Sequence, residues 1–529
     1  MRIRSIALGI ALPVLALASA SGADAPPVSV PPDFDVLIRG GTVYTGDAPP
    51  FVGDVAVKGD RIAYVGPRAA GSAARSIDAS GMIVAPGFID PHTHADGALR
   101  SDNPVARLVL PFLTQGVTTA FIGVDGYGSA DVAQTLDRGR YTGINYATYV
   151  GFGAVRTAVI GNAQRAPDAP ELARMQGLVA TAMCQGALGL STGLFYAPQS
   201  FARQDEVISL ARIAGAAGGI YDSHLRDESS YSIGLLGAVD EAIAIGQEAR
   251  IPVHIAHIKA LGVDVQGKAP QVIARIEAAR AKGQVVTADQ YPWAASGTGL
   301  SAALIPRWAQ DGGRAAMLSR FADAQMSARL RSEALENLRR RGGAEAILIT
   351  VGPDWAQGKT LAQLARERSV DPVSAAIELL KVAEVSIASF NQDEGDIAAF
   401  MQRDWVVTSS DASQGHPRYY ASFSRKYATY VRERGVIDLR TFIASSTIRT
   451  ARMFDLAGRG ELRSGNFADV VVFDPVRFAP RADYTHPARF GTGMIAVIVN
   501  GQIAIEHGQP TGEAAGRPLE RQPRTAACP

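Results

Sequence analysis

Two histidines stand two residues apart in the run Gly87-Phe88-Ile89-Asp90-Pro91-His92-Thr93-His94, directly after the apolar segment Met82-Ile83-Val84-Ala85. On an extended strand, side chains two apart point to the same side, so both imidazoles can face one metal ion. An isolated His-x-His is more often a turn with two surface histidines, since short motifs match by chance. Here further polar residues recur where apolar runs end: Asp125, His224, His257 with Lys259, and Asp411. Each has an ordinary reading on its own. Asp125-Gly126 is a turn, His224 a hydrogen-bonded strand-end histidine, and Asp411 a cap or turn residue. Recurrence at successive strand ends favours a shared site. His254 competes with His257, but odd spacing puts the two on opposite strand faces, and His257 lies nearer the carboxyl end. His257 is therefore the candidate ligand and His254 the packing residue. Imidazoles joined by carboxylates suit a borderline divalent ion such as zinc, with an open position for water.

Such convergence needs a scaffold that brings distant strand ends to one mouth. Eight strand-like segments alternate with helical runs: 83–89, 118–124, 145–151, 187–193, 219–224, 252–257, 285–291 and 405–410. That alternation predicts α/β architecture, a (β/α)₈ TIM-like barrel with its site at the C-terminal strand ends. Short alternating β pieces precede it (34–39, 54–57, 61–65) and return after it (468–473, 495–501), so the two ends are expected to pair in a small β-sandwich. The expected organisation is a signal peptide at 1–23, β-sandwich parts at 24–85 and 458–515, the barrel at 86–457, and a tail at 516–529. A charged, helix-rich stretch implies a helical insertion at about 294–352, forming a lid or subdomain.

The chain has 529 residues, 47% hydrophobic and 19% charged, with 52 basic and 51 acidic side chains. That balance gives no electrostatic case for nucleic acid or an anionic membrane surface and leaves a small-molecule partner as the default. Arg2 and Arg4, the apolar run 6–17 and the small residues at 18–23 read as a cleaved secretory signal, implying a periplasmic or secreted protein. The apolar run is short for a span, so no membrane span is expected in the mature protein. Of the two cysteines, Cys184 in a helical run reads as a buried small hydrophobe and Cys528 lies on a polar tail. Neither is assigned chemistry, although an oxidising compartment would permit their pairing.

The motifs carry a resemblance. Pro86 to His94, Gly116-Val117-Thr118-Thr119, the run 189–198 (GLSTGLFYAP), His224-Leu225-Arg226-Asp227-Glu228, His257-Ile258-Lys259, Asp289-Gln290-Tyr291-Pro292-Trp293, His416-Pro417-Arg418 and the run 465–473 (GNFADVVVF) occur in one order over nearly the whole chain. They resemble the amidohydrolase superfamily, in its N-acyl-D-amino-acid deacylase (D-aminoacylase) branch. The resemblance implies one or two Zn²⁺ ions. His92, His94 and Asp411 match the more open metal position, and His224 and His257 the tighter one. The family's third ligand there is a cysteine in Gly-Asn-Cys-Gly; this chain reads Gly123-Val124-Asp125-Gly126, so Asp125 is the expected replacement. Asp411 is the implied general base. Lys259, Tyr291 and Arg418 match positions that hold the substrate carboxylate, although each also reads as a strand cap, a core tyrosine and a loop arginine respectively. Arg226 is expected in an ion pair with Asp227 or Glu228. The implied reaction is hydrolysis of an N-acyl-(D-)amino acid. Other amides (cyclic or dipeptide) on the same site, or a non-catalytic binding protein on this fold, are the alternatives.

Overall fold

The computed structural model describes residues 31–138, 141–522 and 528. The signal-peptide segment 1–23 lies outside the described residues. Eight parallel strands form the barrel wall: β1 (Phe88–Asp90), β2 (Val117–Ile122), β3 (Asn145–Thr148, continued by Val150–Gly151), β4 (Gly189–Gly193), β5 (Ile220–His224), β6 (Val253–Ile255), β7 (Val286–Gln290) and β8 (Val406–Thr408). Neighbours pair in parallel from β1 to β3 and from the continuation of β3 through to β8. The ring closes just beyond the strand ends. There Asp411 N donates to His92 O (2.9 Å) and His94 N to Ala412 O (3.0 Å). Closure is thus made by the residues that carry candidate ligands.

Every barrel strand is buried along its length, as expected for parallel strands covered on both faces. The amphipathic runs between them form outer helices, among them Ala169–Cys184, Gln204–Ala216, Gly234–Ala249 and Ala269–Ala281. Ala169–Cys184 begins at a capping box in which Asp168 and Glu171 satisfy each other's backbone amides. Among the described residues no helix is long and apolar enough to cross a membrane.

The two ends of the chain share a nine-stranded sheet, where Ile83–Pro86 pairs antiparallel with Val470–Phe473. Val55, Ile62, Val470 and Ile498 join one buried cluster, so strands from both ends of the sequence enclose a common core. The segment expected as one strand, 83–89, is divided. Ile83–Pro86 belongs to this sheet and Phe88–Asp90 to the barrel. Gly87 is the joint: a Cβ there would lie 2.1 Å from Thr118 Oγ1, so only glycine lets the chain pass so close to β2.

The insertion between β7 and β8 is longer than the expected 294–352 and is not purely helical. Ala295–Gly299, Ser386–Phe390 and Ile347–Val351 form an antiparallel three-stranded sheet against helices such as Ala324–Arg340 and Pro372–Val382. Leu304, Leu338, Ile349, Leu379 and Ile387 build its own core, separate from the barrel's. The described part of the tail runs along the start of β3: Gly516 N donates to Thr142 O (2.8 Å) and Leu519 N to Tyr146 O (2.7 Å). Cys184 and Cys528 form a disulfide, which corrects the reading of Cys184 as a simple packing residue. Tail docking against β3 carries Cys528 to the end of the Ala169–Cys184 helix, a proximity no local pattern encodes.

Candidate metal centre

The residues after each strand determine where the side chains converge. Asp125, His257 and Asp411 adopt positive φ values of 55°, 34° and 48°. That left-handed region is sparsely used by residues other than glycine, although Asp and His tolerate it better than most. Each strand thus ends in a sharp turn at its polar residue. In the turn after β2, Gly126 has φ +75°, and a Cβ there would meet Gln199 Oε1 at 2.0 Å. Gln199 Nε2 donates to Asp125 O (2.8 Å), and Ser191 Oγ donates to Gly123 O (2.6 Å), which fixes the turn.

The turns bring six sequence-predicted residues together. Asp125 Oδ1 lies 3.4 Å from His92 Nε2, 3.5 Å from His224 Nδ1 and 3.4 Å from His257 Nε2. Its Oδ2 is 3.4 Å from His94 Nε2, and His94 Nε2 is 3.3 Å from Asp411 Oδ1. Asp125 Oδ1, both ring nitrogens of His92 and both of His224 are buried without a hydrogen-bond partner. Such atoms are costly unless something else satisfies them. Ligands at about 2.0–2.1 Å from a shared tetrahedral ion stand about 3.3–3.4 Å apart, which these separations match. The donor set of imidazoles and carboxylates therefore fits a divalent metal. His92 and His257 group with Asp125, and His92 and His94 group with Asp411. The second group is the more open, since the His94 side chain keeps 31% exposure while that of His92 keeps none.

The electrostatics call for positive charge. Burial alone would raise Asp411, but Arg418, His257 and the hydrogen-bonded His94 outweigh it and hold the carboxyl far below its usual range. Asp125 behaves likewise: burial opposes ionisation, and the charges of His92 and His224 overcome it. Burial would lower His94 and His257, yet facing carboxylates push both up to about 10. Without a metal, protonated His94 and His257 supply the charge that the carboxylates demand, while burial pushes His224 below its ordinary value.

Comparison with known proteins places this arrangement. The sequence profile described as Amidohydrolase family matches residues 75–505. Over 520 residues the chain is 34% identical to the D-aminoacylase of Alcaligenes xylosoxydans xylosoxydans, covering 92% of this chain and 98% of that one. The chain belongs to the amidohydrolase family. Its structure also resembles a D-aminoacylase solved to study a binuclear metal centre (TM-score 0.79, 32% identity, 92% of this chain and 100% of that one). An N-acyl-D-glutamate deacylase from Bordetella bronchiseptica, solved with zinc and a phosphonate inhibitor, is similar at TM-score 0.79 and 30% identity, over 92% of this chain and 99% of that one.

Within this amidohydrolase cavity the other expected residues are also present. Lys259 Nζ lies 2.5 Å from Glu228 Oε1 and 2.6 Å from His257 Nδ1. Arg418 Nη1 is 2.7 Å from Asp411 Oδ2, and its Nη2 donates to Ser413 Oγ (3.0 Å). Arg418 is buried and not a solvated loop arginine. Tyr291 lies between these cations, 5.7 Å from Lys259 Nζ and 5.0 Å from Arg418 Cζ, and its hydroxyl accepts from Gln392 Nε2 (2.8 Å). His254 bonds Asp289 Oδ2 (3.0 Å) and Thr287 Oγ1 (2.8 Å).

Arg226 departs from expectation. It pairs with Glu241 (2.8 Å), because Asp227 is occupied by the amides of Ser229, Ser232 and Gly234 and Glu228 by Lys259. Glu228, Asp289 and Arg341 were not among the expected site residues. The first follows His224 by four residues and the second opens the quoted run through Tyr291, signals that were visible. Arg341 had none.

Proposed function

We propose that this protein is an exported, zinc-dependent deacylase that hydrolyses the amide bond of N-acyl-D-amino acids. The observation that carries this reading is the convergence of Asp125 Oδ1 on three histidine nitrogens, at 3.4–3.5 Å, in a chain 34% identical to a D-aminoacylase. Asp125, His224 and His257 would hold the inner ion. The outer ion would be held by His92, His94 and Asp411. Bound zinc supplies Lewis-acid polarisation of the scissile carbonyl and an acidified water. Asp411, ionised at working pH, takes the proton of the attacking water and passes it to the departing amine. Its pair with Arg418 orients the carboxylate. Lys259, Tyr291 and Arg418 bind the carboxylate of the amino acid, where guanidinium offers a two-pronged fit. Export is supported by the N-terminal charge and apolar pattern and by the Cys184–Cys528 pair, since disulfides persist in oxidising compartments.

The test is release of free amine from matched N-acetyl-D- and N-acetyl-L-amino acids by the zinc-loaded protein. Hydrolysis of the D series alone supports the reading. Hydrolysis confined to cyclic imides or dipeptides would replace it.

A further inference from the structure

The cavity that holds His94, Asp125 and Asp411 has two cationic poles, and only one is neutralised. At the first, around Tyr291, Lys259 faces Glu228 and Arg418 faces Asp411. The second, around Phe195 and Tyr231, consists of Arg341 and, behind it, Arg307. Arg341 ends the insertion helix Ala324–Arg340, lines the same cavity and keeps 1% of its exposure. Its Nε donates to Tyr231 Oη (2.8 Å) and its Nη1 to Ser296 Oγ (3.4 Å). Arg307 lies behind it, with its guanidinium carbon 3.9 Å from the Phe195 ring centre and 5.8 Å from that of Tyr231. Arg307 Nη1 reaches only the carbonyls of Ala302 (2.9 Å) and Ile305 (3.5 Å), and its Nη2 is buried without a partner. Among the described residues neither arginine forms an ion pair. The nearby Asp227 carboxylate is already filled by backbone amides.

A buried guanidinium is expensive to leave without a counter-ion, so natural interiors pair it. Here Arg341 lines the substrate cavity with Arg307 behind it, and among the described residues neither has an anionic partner. Arg341 also presents a planar donor fork suited to carboxylate. We infer that Arg341, backed by Arg307 and assisted by Ser296, binds a second carboxylate of the substrate. The preferred substrates are then N-acyl derivatives of dicarboxylic amino acids, with one carboxylate at each pole. This inference rests on the amide-hydrolase reading above and refines its substrate class.

The experiment compares kcat/KM of the full-length, zinc-loaded protein for N-acetyl-D-glutamate and N-acetyl-D-aspartate against N-acetyl-D-norleucine. The expected result is preference for an acidic substrate. In Arg341→Met the acidic-to-apolar ratio falls about 10- to 100-fold, the size of a charge-assisted contact, mainly through KM. Arg341→Lys, which keeps the charge but not the fork, recovers part of that ratio. Wild-type preference for norleucine, or an unchanged ratio in Arg341→Met, would overturn the inference. If no N-acyl amino acid is hydrolysed, glutarate binding followed by melting temperature separates the two ideas. A rise lost in Arg341→Met supports the dianion pole alone, and no rise in the wild type overturns it.

Discussion

Asp125 offers hard oxygen donors where the family resemblance implies a thiolate, and its two oxygens reach different histidines. Oδ1 faces His92, His224 and His257, while Oδ2 faces His94. Its loss should therefore weaken metal binding by more than the 10- to 100-fold that outer partners of a ligand typically cost. Asp125→Ala is expected to bind zinc substoichiometrically by metal analysis after dialysis, and Asp125→Cys to retain it. Zinc retention by the alanine variant equal to wild type would remove Asp125 from the ligand set. The histidines and Asp411 were legible because a strand's two-residue repeat and its carboxyl end restrict where a side chain can point. Arg341 was not, since it closes a charged amphipathic helix that reads as solvated, and it meets Ser296 across 45 residues. Glu228 was half-legible: its place beside His224 was plain, but its partner Lys259 is 31 residues away.

At the scale of elements, β8 shows how the site is supported from behind. Thr408 Oγ1 accepts from Lys426 Nζ (2.8 Å) and lies 2.9 Å from Ser446 Oγ, in a buried cluster of hydroxyls. Burial, with Arg449 nearby, pushes the Lys426 amine down from 10.5 to about 7. Between those values the unfolded chain binds more protons than the folded one, so stability rises with pH across that window. The destabilisation is complete below about 7 and fades towards 10.5. Lys426→Met should therefore melt a few degrees higher than wild type near pH 6, with the gain shrinking as pH approaches about 10. A gain that is constant with pH would show that the amine does not titrate there. Strand and helix types were largely readable from periodicity, while their division was not. Gly87 splits 83–89 between two sheets because of contact with Thr118, a residue of another strand. The strand Ala295–Gly299 escaped notice because Ala-Ser-Gly-Thr-Gly has no apolar alternation, and pairing with Ser386–Phe390 makes it a strand.

Across the whole molecule, the barrel gathers the ligands, the insertion closes the cavity with Ser296 and Arg341, and the chain ends tie the scaffold together. The terminal sheet joins residues 83–86 to 470–473, and the Cys184–Cys528 bond spans 344 residues. The first of these links followed from matching β patterns at both ends. The second depends on where a docked tail happens to run, which composition cannot reveal. What unites these parts is a carboxylate-and-histidine centre that works only when it holds a metal. The most direct measurement is a zinc titration of the chelated protein while hydrolysis of an N-acetyl-D-amino acid is followed. The expected result is no turnover without metal and activity that rises with the first equivalent of zinc. Undiminished hydrolysis after complete metal removal, or stoichiometric zinc binding with no turnover of any amide, would contradict it.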